Sequence, residues 1–305
     1  MGLALLGTLE QGLVYGLMSL GVYITFRILD FPDLTVDGSF PLGAAVAAAG
    51  LVGGLHPALA LGLAALAGAG AGAVTGVLHT RLRISGLLSG ILTMTALYSI
   101  NLRVMGGRPN VPLLRVVNLF DLVVDWGIDR RWAAVLVFFV FCLIGKLALD
   151  WFLHSQVGLA MRATGDNEQM LRSLGGSTDT MKLLGLTLAN GFVGLSGGLV
   201  AAYQGFADVN LGQGMIVSGL ASVIIGEVLI RPQTVYAATL GAVIGSIVYR
   251  LVIFIALRVG LAPTDLKLVT ALLVVVALSG SNLRDILSKT KLARMAEGSA
   301  GNAEG

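Results

Sequence analysis

Four windows of the chain, 38–80, 84–102, 183–207 and 268–283, contain no Asp, Glu, Lys or Arg. Most of them reach or exceed the roughly 20 residues that carry a helix across a bilayer core of about 30 Å. What separates them is too short for a large soluble domain, so the chain is expected to be an all-α polytopic membrane protein. Composition agrees: 56% of residues are hydrophobic and 12% charged, against about a quarter charged in soluble domains, and the mean hydropathy is +0.87. The opening MGLALLGTLEQGLVYG lacks a basic start and a small-residue cleavage site, so it reads as the first span rather than a signal peptide. The formal charge of +3 resides mostly in loops and tail, where membrane proteins place Lys and Arg, and is no nucleic-acid signature. The one cysteine, Cys142, lies inside an apolar run and cannot form an intrachain disulfide.

Hydropathy places about nine spans, near residues 5–26, 39–54, 57–78, 87–105, 132–152, 183–203, 214–230, 235–257 and 266–280. Together with their loops they make a transmembrane unit over 1–283, followed by a tail, 284–305, whose end, MAEGSAGNAEG, has no apolar content and is expected to be disordered. A compact polar island at 154–182 interrupts the apolar pattern. If it is cytoplasmic, alternating the spans gathers eleven Lys/Arg on its side: Arg27, Arg81, Arg83, Arg162, Arg172, Lys182, Arg231, Arg284, Lys289, Lys291 and Arg294. About seven face the other side, four of them in the loop 106–131. The bias predicts an outside N-terminus and a cytoplasmic C-terminus.

An internal repeat emerges when FPDLTVDGSFPLGAA, from Phe31, is laid over FADVNLGQGMIVSGLA, from Phe206. With one inserted residue, Phe31/Phe206, Asp33/Asp208, Gly38/Gly214, Gly43/Gly219 and Ala45/Ala221 correspond, and Pro57 or Pro232 opens the next span. An odd number of helices separates the copies, so they sit upside down relative to each other, the arrangement of inverted-repeat transporters. Small residues mark packing faces: Gly68/Gly72/Gly76, Gly191/Gly194/Gly198 and Gly241/Gly245. In lipid such faces allow close backbone approach, and packing is favoured over substrate contact there.

Within the island, Asp166 with Gln169 three residues later reads as a capping box, and Gly175-Gly176 as a stop, giving a helix of about eight residues, 167–174. Met170, Leu171 and Leu174 share one face of it. So short a helix is unstable unless it docks on something. Its mixed charges and missing basic, aromatic-flanked face argue against a lipid-surface helix.

The same residues, Gly158, Ala160, Arg162, Ala163, Gly165, Asn167, Gly175 and Lys182, resemble the G-x-A-x-R-A-x-G-x-N pattern, with its downstream Gly and Lys, of the cytoplasmic coupling segment in membrane subunits of bacterial ATP-binding-cassette importers of the branched-chain amino acid and ribose type. DLTVDGSFPLGAAVAA resembles that family's stretch leading into its next span, and FRILDFPDLTVDGSFPLGAAVAA is most similar to permeases described as tryptophan/tyrosine-type. The resemblance covers residues 11 to about 282. It implies a type II-like importer permease in the bacterial inner membrane that pairs with a second permease copy, a homodimer being expected. It further implies a cytoplasmic ATP-binding subunit and an extracytoplasmic solute-binding protein delivering an amino acid or related small molecule. The coupling residues implied are Gly158, Arg162, Gly165, Asp166, Asn167, Met170, Leu171, Leu174 and Gly175. No G-x-x-x-x-G-K-[ST] phosphate loop occurs, so the chain is expected to be non-catalytic, needing no cofactor or metal.

Pathway candidates are Asp33, Asp37 and Ser39 in the first repeat and Asp208, Asn210 and Gln213 in the second, with Asp30 nearby. Ionisable groups in a bilayer are costly and functional by default, yet carboxylates also suit helix N-termini; capping is the first reading and substrate contact the second. Glu227 is expected to pair with Arg231 at i, i+4, and Glu10 to sit at the interface. Thr93, Thr95, Ser99, Asn101 and Asn190 suit interhelix hydrogen bonds as well as a polar path. An ion-coupled secondary carrier also uses inverted repeats, but normally places ionisable groups at midspan. An intramembrane enzyme lacks candidates, since His56, His79 and His154 lie at span ends, Cys142 is isolated and no H-E-x-x-H occurs.

Overall fold

The computed structural model describes residues 2–275 except 115, 126, 263, 264 and 267. Its elements are α1 (Gly2–Tyr23), extended by a π-helical turn at Ile24–Ile28, then α2 (Val36–Val52), α3 (Pro57–Thr80), α4 (Gly86–Val104), β1 (Asn110–Pro112), α5 (Leu119–Asp125), α6 (Arg130–His154), α7 (Gln156–Asp166), α8 (Glu168–Ser173), α9 (Thr178–Gln204), β2 (Phe206–Asp208), α10 (Met215–Ile230) and α11 (Val235–Arg258). Among the described residues six helices are long and apolar enough to cross a membrane, while α2 and α10 are apolar but shorter. Residues 268–275 are helical; the rest of the expected ninth span and the tail 284–305 lie outside the described residues. One short antiparallel pairing, Asn110↔Asp208 to Pro112↔Phe206, departs from the all-α expectation and ties the loop after α4 to the end of α9.

The glycine faces explain the packing around α9. A Cβ on Gly68 would stand 2.2 Å from the Asn190 carbonyl oxygen, one on Gly72 2.1 Å from that of Leu186, and one on Gly43 1.9 Å from that of Gly194, so α2 and α3 touch α9 backbone to backbone. Gly241 and Gly245 meet Gly226 and Ser222, joining α10 to α11. Gly191, by contrast, has Ala69 Cβ no nearer than 3.5 Å, so it does not share the close-packed face of Gly194 and Gly198.

Depth along the bundle can be read against α9. The hydroxyl of Tyr203 donates to Glu10, that of Ser196 to the Val14 carbonyl, and Gly21 abuts Ala189, so α1 runs antiparallel to α9. Ser39, in the first turn of α2, bonds Asn190 at the middle of α9, and Ala47 reaches Gly198: α2 runs from the middle of α9 towards its C-terminal end. α10 starts at the same level, Gly219 against Val22, but descends with α1 to Glu227, which meets Arg27. At 1.5 Å per residue, these two helices, of 17 and 16 residues, are about 24–26 Å long, short of the roughly 30 Å of a bilayer core, and they run in opposite directions from a common level.

Candidate functional site

The two shorter apolar helices begin head to head. Asp37, in the first turn of α2, accepts the backbone N–H of Gly214 at 3.0 Å on one carboxylate oxygen and that of Ile216 at 2.8 Å on the other. Its side chain therefore caps α10, a helix 177 residues further on, rather than its own; the negative charge meets the positive end of the helix dipole and two N–H groups with no intrahelical partner. Gly212 permits this, since a Cβ there would stand 1.9 Å from the Asp37 carbonyl oxygen. Beside the junction lies a cavity of about 310 Å³, lined by Asp37, Gly38 and Pro41 of α2, Met94, Thr95, Tyr98 and Asn101 of α4, and Val209, Asn210, Gln213 and Gly214 before α10.

Behind this cavity is a buried polar network. Asp33 accepts the Thr35 N–H at 2.9 Å and the Asn190 amide at 2.7 Å, and Ser39 donates to the Asn190 carbonyl oxygen at 2.6 Å. Thr35, Thr75 and Thr93 join hydroxyl to hydroxyl at 2.7 and 2.9 Å. Asp33, Ser39 and Asn190 are all buried, so every bond in the set is made in a low-dielectric setting where an unmade one costs most. Asp208 accepts the Asn210 N–H at 2.8 Å, an Asx turn identical in spacing to that of Asp33 on Thr35, and takes the Asn110 amide from β1 at 3.1 Å. Asn210 accepts from Gln213 at 3.2 Å.

The polar island folds into two helices. Ser155 caps α7 through the Gly158 N–H, and Gly158 is obligatory at the bend because a Cβ would meet the Phe152 carbonyl oxygen at 2.2 Å. Gly165 lies against the Ile28 carbonyl, 1.9 Å from where a Cβ would sit, seating α7 on the π turn that ends α1. Arg162 and Asp166 face a cleft shared with Tyr23, Arg27 and Glu227. Glu168 accepts from Arg172 at 2.5 Å, from Lys182 at 2.9 Å and from Thr178 at 3.2 Å, which fastens α8 to the start of α9; the hydrogen bond from Lys182 holds the Glu168 carboxyl below its ordinary range. Gly175, at φ +83°, turns the chain out of α8. Met170 and Leu174 are left 51% and 74% exposed.

The branched-chain amino acid transport system permease-component family matches residues 4–279. The chain belongs to that family. It is 42% identical, over 94% of its length and 94% of the other's, to a tyrosine transport system permease protein of Clostridioides difficile. It is 26% identical to the ribose import permease protein of Escherichia coli K12 over 82% of this chain and 75% of that one, and 26% identical to an autoinducer 2 import system permease protein of Yersinia enterocolitica over 70% and 57%. No solved structure matches it. The expected function, a permease subunit of an ATP-binding-cassette importer, is the one this family carries, and its members work with an ATPase and a binding protein.

Within this permease several residues behave differently from their sequence-based expectation. Asp166 is the last residue of α7, so it cannot cap α8; Asn167, whose extended backbone (φ −157°, ψ 94°) aims its amide oxygen at the Met170 N–H at 3.0 Å, does so, and α8 spans six residues instead of about eight. Leu171 is half-buried and folds over Gly176, which removes it from the exposed face of Met170 and Leu174. Glu227 pairs with Arg27 at 2.6 Å rather than Arg231, because Arg231 ends α10 in the left-handed region, φ +48°, and its side chain leaves the i, i+4 track. Glu10 is buried and accepts the hydroxyl of Tyr203, next to last in α9, at 2.5 Å. Pro57 begins α3 as expected, whereas Pro232 lies in the turn before Thr234, which caps α11. The Lys146–Asp150 pair within α6, with Thr239 donating to Asp150 at 2.6 Å, was not singled out by sequence; its i, i+4 spacing in an apolar run was the available signal.

Proposed function

We propose that this permease is one half of a homodimer that carries an amino-acid-sized solute along the α2–α4–α10 cavity, driven by an ATPase seated on α8. The observation that carries the reading is the head-to-head start of α2 and α10: short helices in corresponding positions of two inverted halves are where transporters of this build hold their solute. The nine-span inverted repeat gains support from the matched Asx turns of Asp33 and Asp208 at equivalent repeat positions. The transmembrane unit then spans 1–283, with the coupling segment at 154–182. In this reading the N-terminus lies outside the inner membrane and α7–α8 in the cytoplasm, so that Gly158, Arg162, Gly165, Asp166, Asn167 and Gly175 shape the segment, while Met170 and Leu174 meet the ATPase. The binding protein approaches the β1–β2 face and the loop around it. Asp33, Ser39 and Asp208 support the pathway, and Asp37, Asn210 and Gln213 line it.

Reconstitution with the cognate ATPase and binding protein tests the coupling role. Replacing Leu174, or Met170 with it, by Asp abolishes binding-protein-stimulated ATP hydrolysis and leaves the permease monodisperse in detergent. Unchanged stimulation removes α8 as the docking element.

A further inference from the structure

We infer that the cavity at the α2–α10 junction receives the solute by its protonated amine: it is an acceptor site for an ammonium group carried next to an apolar or aromatic body. The inference rests on the reading of this cavity as the solute path and adds the chemistry it selects.

Three observations carry it. Helix N-termini inside transporters ordinarily offer free N–H groups to an anionic part of the solute. Here Asp37 already occupies those of α10, at Gly214 and Ile216, which reverses the sign of the site. Those two bonds use about half of the carboxylate's acceptor capacity, and no Lys, Arg or His among the described residues forms an ion pair with Asp37. The second observation is Asn101, which lines the same cavity and is 1% exposed. Its amide nitrogen donates to the Gly38 carbonyl at 3.3 Å, which settles the orientation of the amide and leaves its carbonyl oxygen buried with no donor. A buried acceptor without a partner is costly in a finished structure, and this one, in the cavity wall and closed to water as the structure stands, is satisfied in the proposal by a donor on the solute once the wall opens. Third, Thr95, Tyr98 and Ser99 are exposed together on α4, a helix of spanning length. Hydroxyls at i, i+3 and i+4 suit a wet path and not a lipid-facing stripe. Tyr98 and Met94 line the cavity and bring to it an aromatic ring, a group favourable to a cation, and an apolar side chain. A volume of about 310 Å³ is at the small end for ligand sites and fits a solute of amino-acid size.

Charge-selective labelling of a Thr95→Cys permease in proteoliposomes tests this, with the parent chain as background because Cys142 is buried. The probes are trimethylammonium-ethyl methanethiosulfonate and its sulfonatoethyl counterpart, each rate normalised to that with glutathione. The cationic reagent is expected to react about fivefold faster or more, the influence of one unit charge at about 4 Å in a water-like medium. Tyramine slows labelling and its amine-free analogue, p-hydroxyphenylpropionate, does not; in an Asp37→Asn background the rate ratio falls towards one. No labelling of Thr95→Cys would show that this face of α4 meets lipid or protein, and the path itself would be misplaced. Labelling at equal rates by both reagents, or equal protection by the amine and the amine-free analogue, would keep the path and overturn the acceptor site. Both decisive ratios are measured in the chain with Asp37 intact, so they stand even if the Asp37→Asn variant does not fold.

Discussion

Adding one methyl group at Gly43 is expected to do more damage than at almost any other glycine, and the geometry says how much. A Cβ there would lie 1.9, 2.5 and 2.6 Å from the carbonyl oxygen, carbonyl carbon and Cα of Gly194. All three atoms are backbone, so no side chain can swing away, and restoring ordinary contact means parting α2 from α9 by about 1.5 Å. Overpacking of this kind costs about 1–3 kcal/mol. The same movement stretches the Ser39–Asn190 and Asn190–Asp33 bonds, now 2.6 and 2.7 Å, beyond useful range, at about 0.5–1.5 kcal/mol each. Less the roughly 1 kcal/mol that Ala gains over Gly in a helix, Gly43→Ala should lose about 1–5 kcal/mol. Gly191→Ala, one turn from Gly194 on the same helix, has its nearest neighbour at 3.5 Å and should keep the propensity gain. Thermal midpoints in detergent, followed by size-exclusion of the heated samples, should therefore move in opposite directions, Gly43→Ala down by several degrees and Gly191→Ala level or up. If Gly43→Ala proves as stable as Gly191→Ala, the backbone-to-backbone contact of α2 and α9 is refuted.

Three further outcomes follow from the α7–α8 segment and the Arg27–Glu227 pair beside it. Asn167→Ala removes the cap of α8 at a cost of about 1 kcal/mol, so amide exchange at 168–173 should quicken while the middle of α9 is unchanged; equal exchange would show that the cap is idle. The Glu168 carboxyl is held below the ordinary carboxyl range, chiefly by the hydrogen bond from Lys182. Its contribution to holding α8 on α9 is therefore present above the ordinary carboxyl range and is lost as pH falls through the lower folded-state value. Exchange at the α8–α9 junction should rise only in acid, and Glu168→Gln should flatten that dependence. Arg27→Glu and Glu227→Arg should each weaken coupled transport with little change in thermal stability, since the pair is half-exposed and such pairs contribute about 0–1 kcal/mol; the double exchange should recover transport, and a double variant no better than either single one would show that the pair carries no coupling.

What could be read from the sequence follows from which forces act locally. Span positions were legible because lipid penalises every charge, and the limits of α3, Pro57–Thr80, differ little from those hydropathy suggests. The tight face of Gly68, Gly72 and Gly76 was legible for a related reason, since in lipid helices approach through small residues. α7 was not: residues 156–166 are too polar for a span, and their Ser155 cap was overshadowed by the more obvious stop at Gly175. The choice of Asn167 over Asp166 as cap turns on where α7 ends, one residue that no local pattern specifies. The bonds that build the candidate site, Asp33 to Asn190, Asp37 to Gly214 and Arg27 to Glu227, link residues 157, 177 and 200 positions apart. Nothing near any one of them in the chain names its partner, so Asp37 was legible as a capping residue while the helix it caps was not.

Those long-range bonds also connect the two ends of the permease mechanically. Gly165 rests on Ile28 at the end of the π turn, one residue beyond Arg27, and Arg27 holds Glu227 near the C-terminus of α10. The N-terminus of α10 is held by Asp37 of α2, and α2 is locked to α9 by Gly43 and Ser39. In the proposed coupling, a push on Met170 and Leu174 would pass from α8 through α7 to the foot of α10, one short helix away from the cavity. α2 is held on α9, and α10 is joined to it through two backbone N–H groups donating to one carboxylate and through Gly212 packed on Asp37 and Pro41, a narrow joint along that line. A hinge at that joint would put the conformational change and the proposed ammonium site at the same residue.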